Sequence, residues 1–537
     1  MIRSLIHRTV LTLAICAGPV AVAQEVALSS AYLVEPGSPY PVFDGEKRYF
    51  AFGDALIAVK NRGALWYLQR FDVNGLQETA SREYDDMPKD MTFEGVRRMG
   101  DHLFLFYSTW VKDRELEQLH VREIDVATAT FVDRGRMVVE VKGKLSGDLV
   151  QKAGIYRYAV QNKYAFTPSL DRKYLGISWS MKLDKKEAEP AKTALQSWPM
   201  VVFDQTMTEV WKGEVTMPWP DENVSVIDDM VDAQGRLHVL ASVFNTENGR
   251  QIADTGRFLF TYDHLTNDWS RVPAPYDVRS QGTNLIEGGD GLFRVVGYYG
   301  TEGDPSVKGI FVGIIRPGEG LVDLKEHAIP DEILSMYSTP KELRKQTRKE
   351  ENGEEVGLND VELVGSYHDD DGSMLLIGEE RYTTTQCFTD SKGRTRCTDR
   401  YHADDLVLSR LDPNGELRWT RRLAKREISG APIGGAYEVL VTDGSIHVLH
   451  YGFGDNLDIR PEEPPTMKGG RFLVVDRIDN ASGEVVREAV LNPANVSGMK
   501  LGQFHMDRVV RTKRDQAVFE AYIGGKKDVL FRIAPTQ

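Results

Sequence analysis

The chain has 537 residues and a formal net charge of −14, with 41% hydrophobic, 27% charged and 9% aromatic residues. This is the balance of a folded, water-soluble body without a disordered tail, and its acidity argues against nucleic acid and anionic lipid as partners. A basic partner, a cation or an uncharged glycan is electrostatically easier, and beyond the N-terminal segment no apolar run reaches the ~20 residues of a membrane-spanning helix.

Arg3 and Arg8 precede an apolar run over 10–22 that ends in Ala21-Val22-Ala23. Residues 1–23 thus have the layout of a cleaved secretory signal, too short to remain in a bilayer. The expected mature chain starts at Gln24 and forms one domain over 24–537. Cys16 offers a lipoprotein-type alternative, but the bulky Ile15 before it fits that signal poorly. Without Cys16, the chain keeps Cys387 and Cys397, which flank the turn sequence Asp390-Ser-Lys-Gly-Arg394. A disulfide across a hairpin is expected, in the oxidising periplasm or outside the cell. A monomer is expected.

From there apolar and polar residues alternate over short spans broken by turns, the period of half-buried antiparallel strands. One phrase keeps returning: Leu408-Ser-Arg-Leu-Asp-Pro-Asn-Gly-Glu-Leu-Arg-Trp419, with weaker copies Leu68-Gln-Arg-Phe-Asp-Val-Asn-Gly75 and Val475-Asp-Arg-Ile-Asp-Asn-Ala-Ser-Gly-Glu-Val485. Repetition of one hairpin signature means one supersecondary unit, copied. Parsing by the phrase gives eight units, at 47–85, 91–141, 150–216, 224–274, 283–329, 358–425, 436–491 and 503–535. Each reads as four antiparallel strands, and such units repeated radially are the blades of an all-β propeller. Seven blades is the alternative, because the first and last units are the least regular. The last unit is one strand short, and residues 26–34 are expected to supply it and close the ring. Residues 331–357 interrupt the pattern. They are charged all round, with a helix expected after Thr339-Pro340 and no apolar stripe, and read as a solvated insertion between blades.

The phrase Arg410-Leu411-Asp412-Pro413-Asn414-Gly415-Glu416-Leu417-Arg418-Trp419 resembles the one carried by exported bacterial β-propeller repeat proteins. The resemblance spans nearly the whole mature chain in style and is specific at this one unit. It implies a fold and leaves activity open, because propellers host enzymes, receptors and scaffolds alike.

In a four-stranded meander the first and third turns share one face of the disc. The second turn and the link to the next blade share the other. Sorted this way, the tight Asp/Gly turns fall on one side. The long segments at 110–115, 182–197, 245–255, 300–306, 384–403 and 454–470 fall on the other, together with 331–357. Binding usually resides in such loops. Trp110, Trp198, Trp219, Tyr276 and Tyr299 are candidate anchors for a protein or glycan, although Trp and Pro also serve to cap blade edges.

Asp228, Asp229, Glu287, Asp360 and Glu362 fall on or beside first strands, next to the central channel. They are candidates for acid and base roles of the kind glycosidases divide between two carboxylates. Other chemistry is disfavoured. Gly176-Ile-Ser-Trp-Ser180 lacks the final glycine of a nucleophile elbow. His447 and His450 are an odd number of residues apart and point to opposite faces of a strand, so no metal site is assigned to them. Asp369 to Asp371 are turn residues with no calcium-loop spacing. No phosphate loop or haem motif supports a cofactor. The reading is a non-catalytic propeller that binds a protein or glycan through its loop-rich face; the alternative is a carbohydrate-active enzyme using carboxylates at the channel mouth.

Overall fold

The computed structural model describes residues 26–536 apart from 152–157, 183–194, 248–249, 277–278, 289, 301–305, 354–355, 370, 390–391 and 431–436. The secretory-signal segment lies outside the described residues. Alternation at period two buries one face of each strand against the preceding sheet and the other against the next. Eight sheets of four or more antiparallel strands result, each a run of consecutive strands except the last. Their first strands are Glu46–Phe52, Thr92–Met99, Tyr164–Pro168, Val224–Val231, Arg279–Glu287, Val361–His368, Tyr437–Val441 and Val510–Lys513. Neighbouring first strands touch around a central axis, Val224–Val231 against Arg279–Glu287 and Glu46–Phe52 against Val510–Lys513. The architecture is an eight-bladed β-propeller.

The unit boundaries read from the sequence hold with one adjustment. Asp148–Gln151 and Tyr158–Gln161 form a separate two-stranded hairpin between blades 2 and 3, and blade 3 itself runs from Tyr164 to Pro220.

The core lies between sheets. Trp66 and Leu68 of blade 1 pack with Leu103 and Leu105 of blade 2, and Leu375 and Ile377 of blade 6 with Val439 and Val448 of blade 7. Each fully buried side chain of this size contributes about 1.5–3 kcal/mol. First strands also bend. The register shifts between Phe93 and Gly95, Val226 and Asp228, Ser280 and Thr283, and Leu363 and Gly365. Bulges at one level in four blades turn the strands along the channel wall.

The ring is sealed by the N-terminal region. Tyr32–Pro36 pairs antiparallel with the last strand, Tyr32 opposite Pro535 and Pro36 opposite Phe531, and Tyr40–Pro41 continues along the same strand. The sealing strand lies later than the expected 26–34. Ser29 instead reaches blade 7, its N–H donating to the Ala489 carbonyl at 2.8 Å and its hydroxyl to Glu488 at 2.7 Å.

Where blade 8 meets blade 1, four charges are buried together. Lys60 donates to Glu520 at 2.9 Å, and Lys47 bridges Glu520 and Asp528 at 2.5 Å each. The Tyr40 hydroxyl donates to the same Glu520 carboxylate. Burial would raise the Glu520 pKa, but Lys60 and Lys47 overcome it and hold the carboxyl at about 2.

The insertion forms two helices between 331 and 351. The longer, Pro340–Glu351, starts at a capping box between Thr339 and Glu342 with Pro340 in its first turn, and buries none of its residues. The shorter, Asp331–Ser335, buries Ile333 and Leu334 in the core of blades 5 and 6. The insertion is therefore docked at its start and solvated only along its second helix. Cys387 and Cys397 are joined as a disulfide across a strand pair.

Removing one member of a buried ion cluster leaves its partner unpaired, so Lys60→Met should lower unfolding stability by about 3 kcal/mol, read from the urea midpoint. Adding Glu520→Gln should restore part of the loss. In the native protein the Glu520 contribution is present above about pH 4.5, the value of an unperturbed carboxyl, and is lost as pH falls through about 2.

Candidate functional site

Among the described residues the two faces of the disc differ. First and third turns are short, such as 53–54, 100–101, 317–319 and 412–416. The opposite face carries the 148–161 hairpin, the two-helix insertion and the loop at 454–470. The segment 384–403 is not the loop that its turn residues suggest. It is a continuation of the blade 6 ladder, Met374–Thr389 paired with Thr395–Leu411.

That ladder outgrows its own sheet. The first strand of blade 6 stops opposite Glu380, the fourth stops opposite Leu406, and the three-residue strand Glu427–Ser429 covers Tyr401 to Ala403. Beyond these, Thr384 to Thr389 and Thr395 to Arg400 pair only with each other and are exposed. At roughly 3.3 Å per residue they project about 20 Å. An isolated two-stranded ribbon is marginal in water. Threonine pairing and the disulfide support this one: the Thr385 hydroxyl donates to Asp399 at 2.6 Å, and Cys387 faces Cys397. Phe388, on the other side of the arm, is 59% exposed and lies opposite Arg396.

A cavity of about 400 Å³ opens at the root of the arm. Its floor is the β-bulge where the register shifts between Glu379 and Arg381, which sets Glu380 against Asp404 and Asp405. Arg422, from the fourth strand, donates to Asp405 at 2.9 Å, to Glu380 at 2.6 Å and to the Met336 carbonyl at 2.7 Å. Burial, then the Asp405 charge, pushes Glu380 up to about 8 against the opposing pull of Arg422. Lys425, fully buried, donates to Glu379 at 3.0 Å and to the Ala403 carbonyl at 2.6 Å. One wall is the longer helix with Glu342, Lys345 and Lys349; another is Pro464 and Pro465 from blade 7. The two are tied, because the Tyr337 N–H donates to the Pro461 carbonyl at 2.6 Å.

The five acids proposed for the channel are not gathered at one mouth. Asp360 lines the cavity rim on the elaborated face, and Glu362 is exposed at the start of the blade 6 first strand. Asp228 sits mid-strand and accepts the Leu285 N–H at 2.7 Å, clamping blade 5 to blade 4. Burial, then the Asp228 charge, raises the pKa of Asp229 beside it. Glu287 lies at the tight-turn face, 6% exposed, and accepts the Ala233 N–H at 3.3 Å. Only Asp360 belongs to the cavity. His447 and His450 take different partners, Tyr32 and Asp476, as strand parity requires.

The aromatic candidates mostly serve packing. Tyr276 is 3% exposed, stacked on Phe311 at 5.1 Å, and has no ring surface to offer a partner. Trp198 and Trp219 lie against blade 4, Trp219 edge-on to Phe260 at 5.3 Å. Tyr299 packs in the blade 4–5 core, and Trp110 is half-buried with the Lys144 ammonium 5.8 Å from its ring centroid. Apolar rings gain more by closing gaps between sheets than by waiting in water. Sequence reasoning missed Glu380, Asp404, Asp405, Arg422 and Arg426. Their signal was the charged doublets Glu379-Glu380 and Asp404-Asp405 inside strands that are otherwise apolar at that depth.

No family model matches the sequence, and no curated protein matches it. Among solved structures, the Dos1 propeller is similar at 9% identity and TM-score 0.39, covering 93% of this chain and 95% of that one. The β-propeller domain of the Trilobed protease from Pyrococcus furiosus is similar at 11% and 0.34, over 84% and 96%. Prolyl oligopeptidase B from Galerina marginata is similar at 11% and 0.39 over 91% of this chain, which spans 55% of that one. The class that the sheets themselves define is the closed β-propeller, and these likenesses add nothing beyond that fold.

Burial, then Asp232, raises Glu287 from 4.5 to about 7. A carboxyl raised on folding contributes stability in full below its unfolded value and loses it as pH climbs through about 7. Glu287→Gln should therefore match the native protein in melting temperature at pH 4 and exceed it at pH 8, by roughly 3 kcal/mol in stability.

Proposed function

We propose that this chain is an exported, non-catalytic propeller that binds a protein or glycan partner through its elaborated face. The observation that carries the reading is the blade 6 arm. Folded proteins blunt exposed strand edges because those edges invite pairing with other chains, yet here a ladder continues past its own sheet, exposed on both edges, with Phe388 59% exposed and a disulfide holding it. The arm buries little against the ring, so stability does not account for it. The disulfide and the leader sequence together support an oxidising, exported location. Replacing residues 384–400 by an Asn-Gly turn should leave the melting temperature of the ring unchanged and abolish capture of the partner from envelope extract. Capture that survives the deletion would overturn the reading.

A second reading, a carbohydrate-active enzyme, draws on the neighbouring carboxyls of Glu380 and Asp405, both raised above the usual range chiefly by burial, since two carboxyls at one site can divide acid and base roles. It moves the site from the channel to the cavity. The binding reading expects no reducing ends released from polysaccharide by the purified chain. Turnover that Glu380→Gln removes and Asp228→Asn spares would favour the enzyme.

A further inference from the structure

We infer that the outer edge of the arm at 384–389 takes up an extended, acidic segment of a partner protein, which adds to the arm as a further β-strand. This deepens the recognition reading of the elaborated face, and rests on it, by naming the kind of partner the arm receives. The two edges of the arm differ. Along Met374–Thr389 the last neighbour is the Asp360 carbonyl, which accepts the Arg381 N–H at 2.8 Å. Among the described residues nothing pairs with the outer side of 384–389. Alternate residues of an antiparallel ladder turn their N–H and C=O groups outward, so this edge presents donors and acceptors to solvent. Its sequence, Thr-Thr-Gln-Cys-Phe-Thr, has no charge, proline or glycine, and so none of the residues that keep an edge from pairing. The other edge, at 395–400, is guarded by Arg396, Asp399 and Arg400.

The two faces of the arm differ as well. On one, every cross-strand pair is closed internally: Thr385 donates to Asp399 at 2.6 Å, Cys387 is bonded to Cys397, and the Thr389 and Thr395 hydroxyls meet at 3.0 Å. On the other, Phe388 lies opposite Arg396, Gln386 opposite Thr398 and Thr384 opposite Arg400. Both arginines are exposed, and neither joins an ion pair among the described residues. A strand added antiparallel to the open edge places one side chain beside Phe388 and, four residues further along the partner, another beside Thr384. The first position favours an apolar or β-branched residue. The second favours an acidic one, because Thr384 is short and Arg400 stands two strand spacings away, roughly 10 Å, a gap that Glu and Arg side chains span together. Residues 384–400 carry four basic and two acidic residues on a chain of net charge −14, so an acidic segment is attracted by the arm and repelled by the body. A second copy of the chain fits the edge less well, since the open face of each arm holds arginines and no carboxylate to meet them.

The test titrates the full exported chain with labelled, end-capped peptides of alternating Thr and Val, read by fluorescence anisotropy. Each peptide holds one Ile and, four residues after it, a Glu, a Ser or a Lys. The Glu peptide should bind about fivefold more tightly than the Ser peptide, and the Lys peptide more weakly than either. Joint Arg396→Glu and Arg400→Glu substitution should reverse that order, and Phe388→Ala should weaken binding of the Glu peptide roughly fivefold. These side chains are exposed, so every variant should melt at the native temperature. Hydrogen exchange in the complex should slow at alternate amides of 384–389 and stay unchanged at 395–400. Affinities indifferent to the charge of the peptide, an order that the double reversal leaves unchanged, or protection at 395–400 instead would overturn the inference. So would sedimentation showing that the free chain dimerises with 384–389 protected, which gives the edge to a second copy. If no peptide binds while capture from envelope extract still depends on the arm, strand addition falls and the recognition reading stands; if the Glu peptide binds at 384–389 and arm deletion changes no capture, the reverse holds.

Discussion

Everything on the two faces depends on one antiparallel pairing, Tyr32–Pro36 against the last strand of the chain. Each blade buries its sheet between two neighbours, so an open ring would expose two apolar faces as well as two edges. The closing contact joins residues almost a full chain length apart, and ordering that loop is entropically unfavourable. Apolar sheet faces are alike, so packing alone distinguishes poorly between correct and shifted closures. The buried cluster of Lys47, Lys60, Glu520 and Asp528 does distinguish them. A buried ion pair adds little net stability, but any register that separates its members leaves a charge buried and unmatched. Blades 2 and 3 meet over a similar group, Lys163 with Glu94 and Glu117.

A closed ring also makes asymmetric elaboration tolerable. The hairpin between the second and third strands of a blade is held at its base by the sheet and is free at its tip, so it lengthens without disturbing its neighbours. Blade 6 uses this freedom twice. Its hairpin becomes the arm, and the bulge at Glu380, where the arm leaves the sheet, turns charged side chains out of the ladder to form the cavity floor. The insertion before blade 6 then supplies the wall, docked by Ile333 and Leu334.

The propeller was legible because its repeated phrase has a local cause. In Asp412-Pro-Asn-Gly the Asp412 carboxylate accepts the N–H groups of Asn414 and Glu416, both at 2.9 Å, and Asp232 does the same for Gln234 and Arg236. Such turns are written in four consecutive residues. The helix at Thr339-Pro340 and the Cys387–Cys397 link were legible for the same reason. The arm was not, because its threonine-rich strands look the same whether or not other strands flank them. Tyr276 was illegible for a related reason: an aromatic beside a proline marks a blade edge, and whether its ring faces outward or the next sheet is decided by residues far away in sequence. The cavity gathers Asp360, Glu380, Asp404, Arg422 and Pro464 from five separate segments, and no local pattern announces that meeting.

Electrostatics divides the labour between arm and cavity. The chain as a whole is acidic, yet the arm carries Arg396 and Arg400 on the side opposite the disulfide, with Lys392 and Arg394 at its tip. An exposed basic projection on an acidic body feels acidic partners at a distance set by the Debye length, and loses that reach as salt rises. The cavity lining carries five acidic and five basic residues, so it exerts little net field beyond its rim. Arm and cavity share one root at blade 6, so under the recognition reading proposed above a partner drawn to the arm would meet the cavity next.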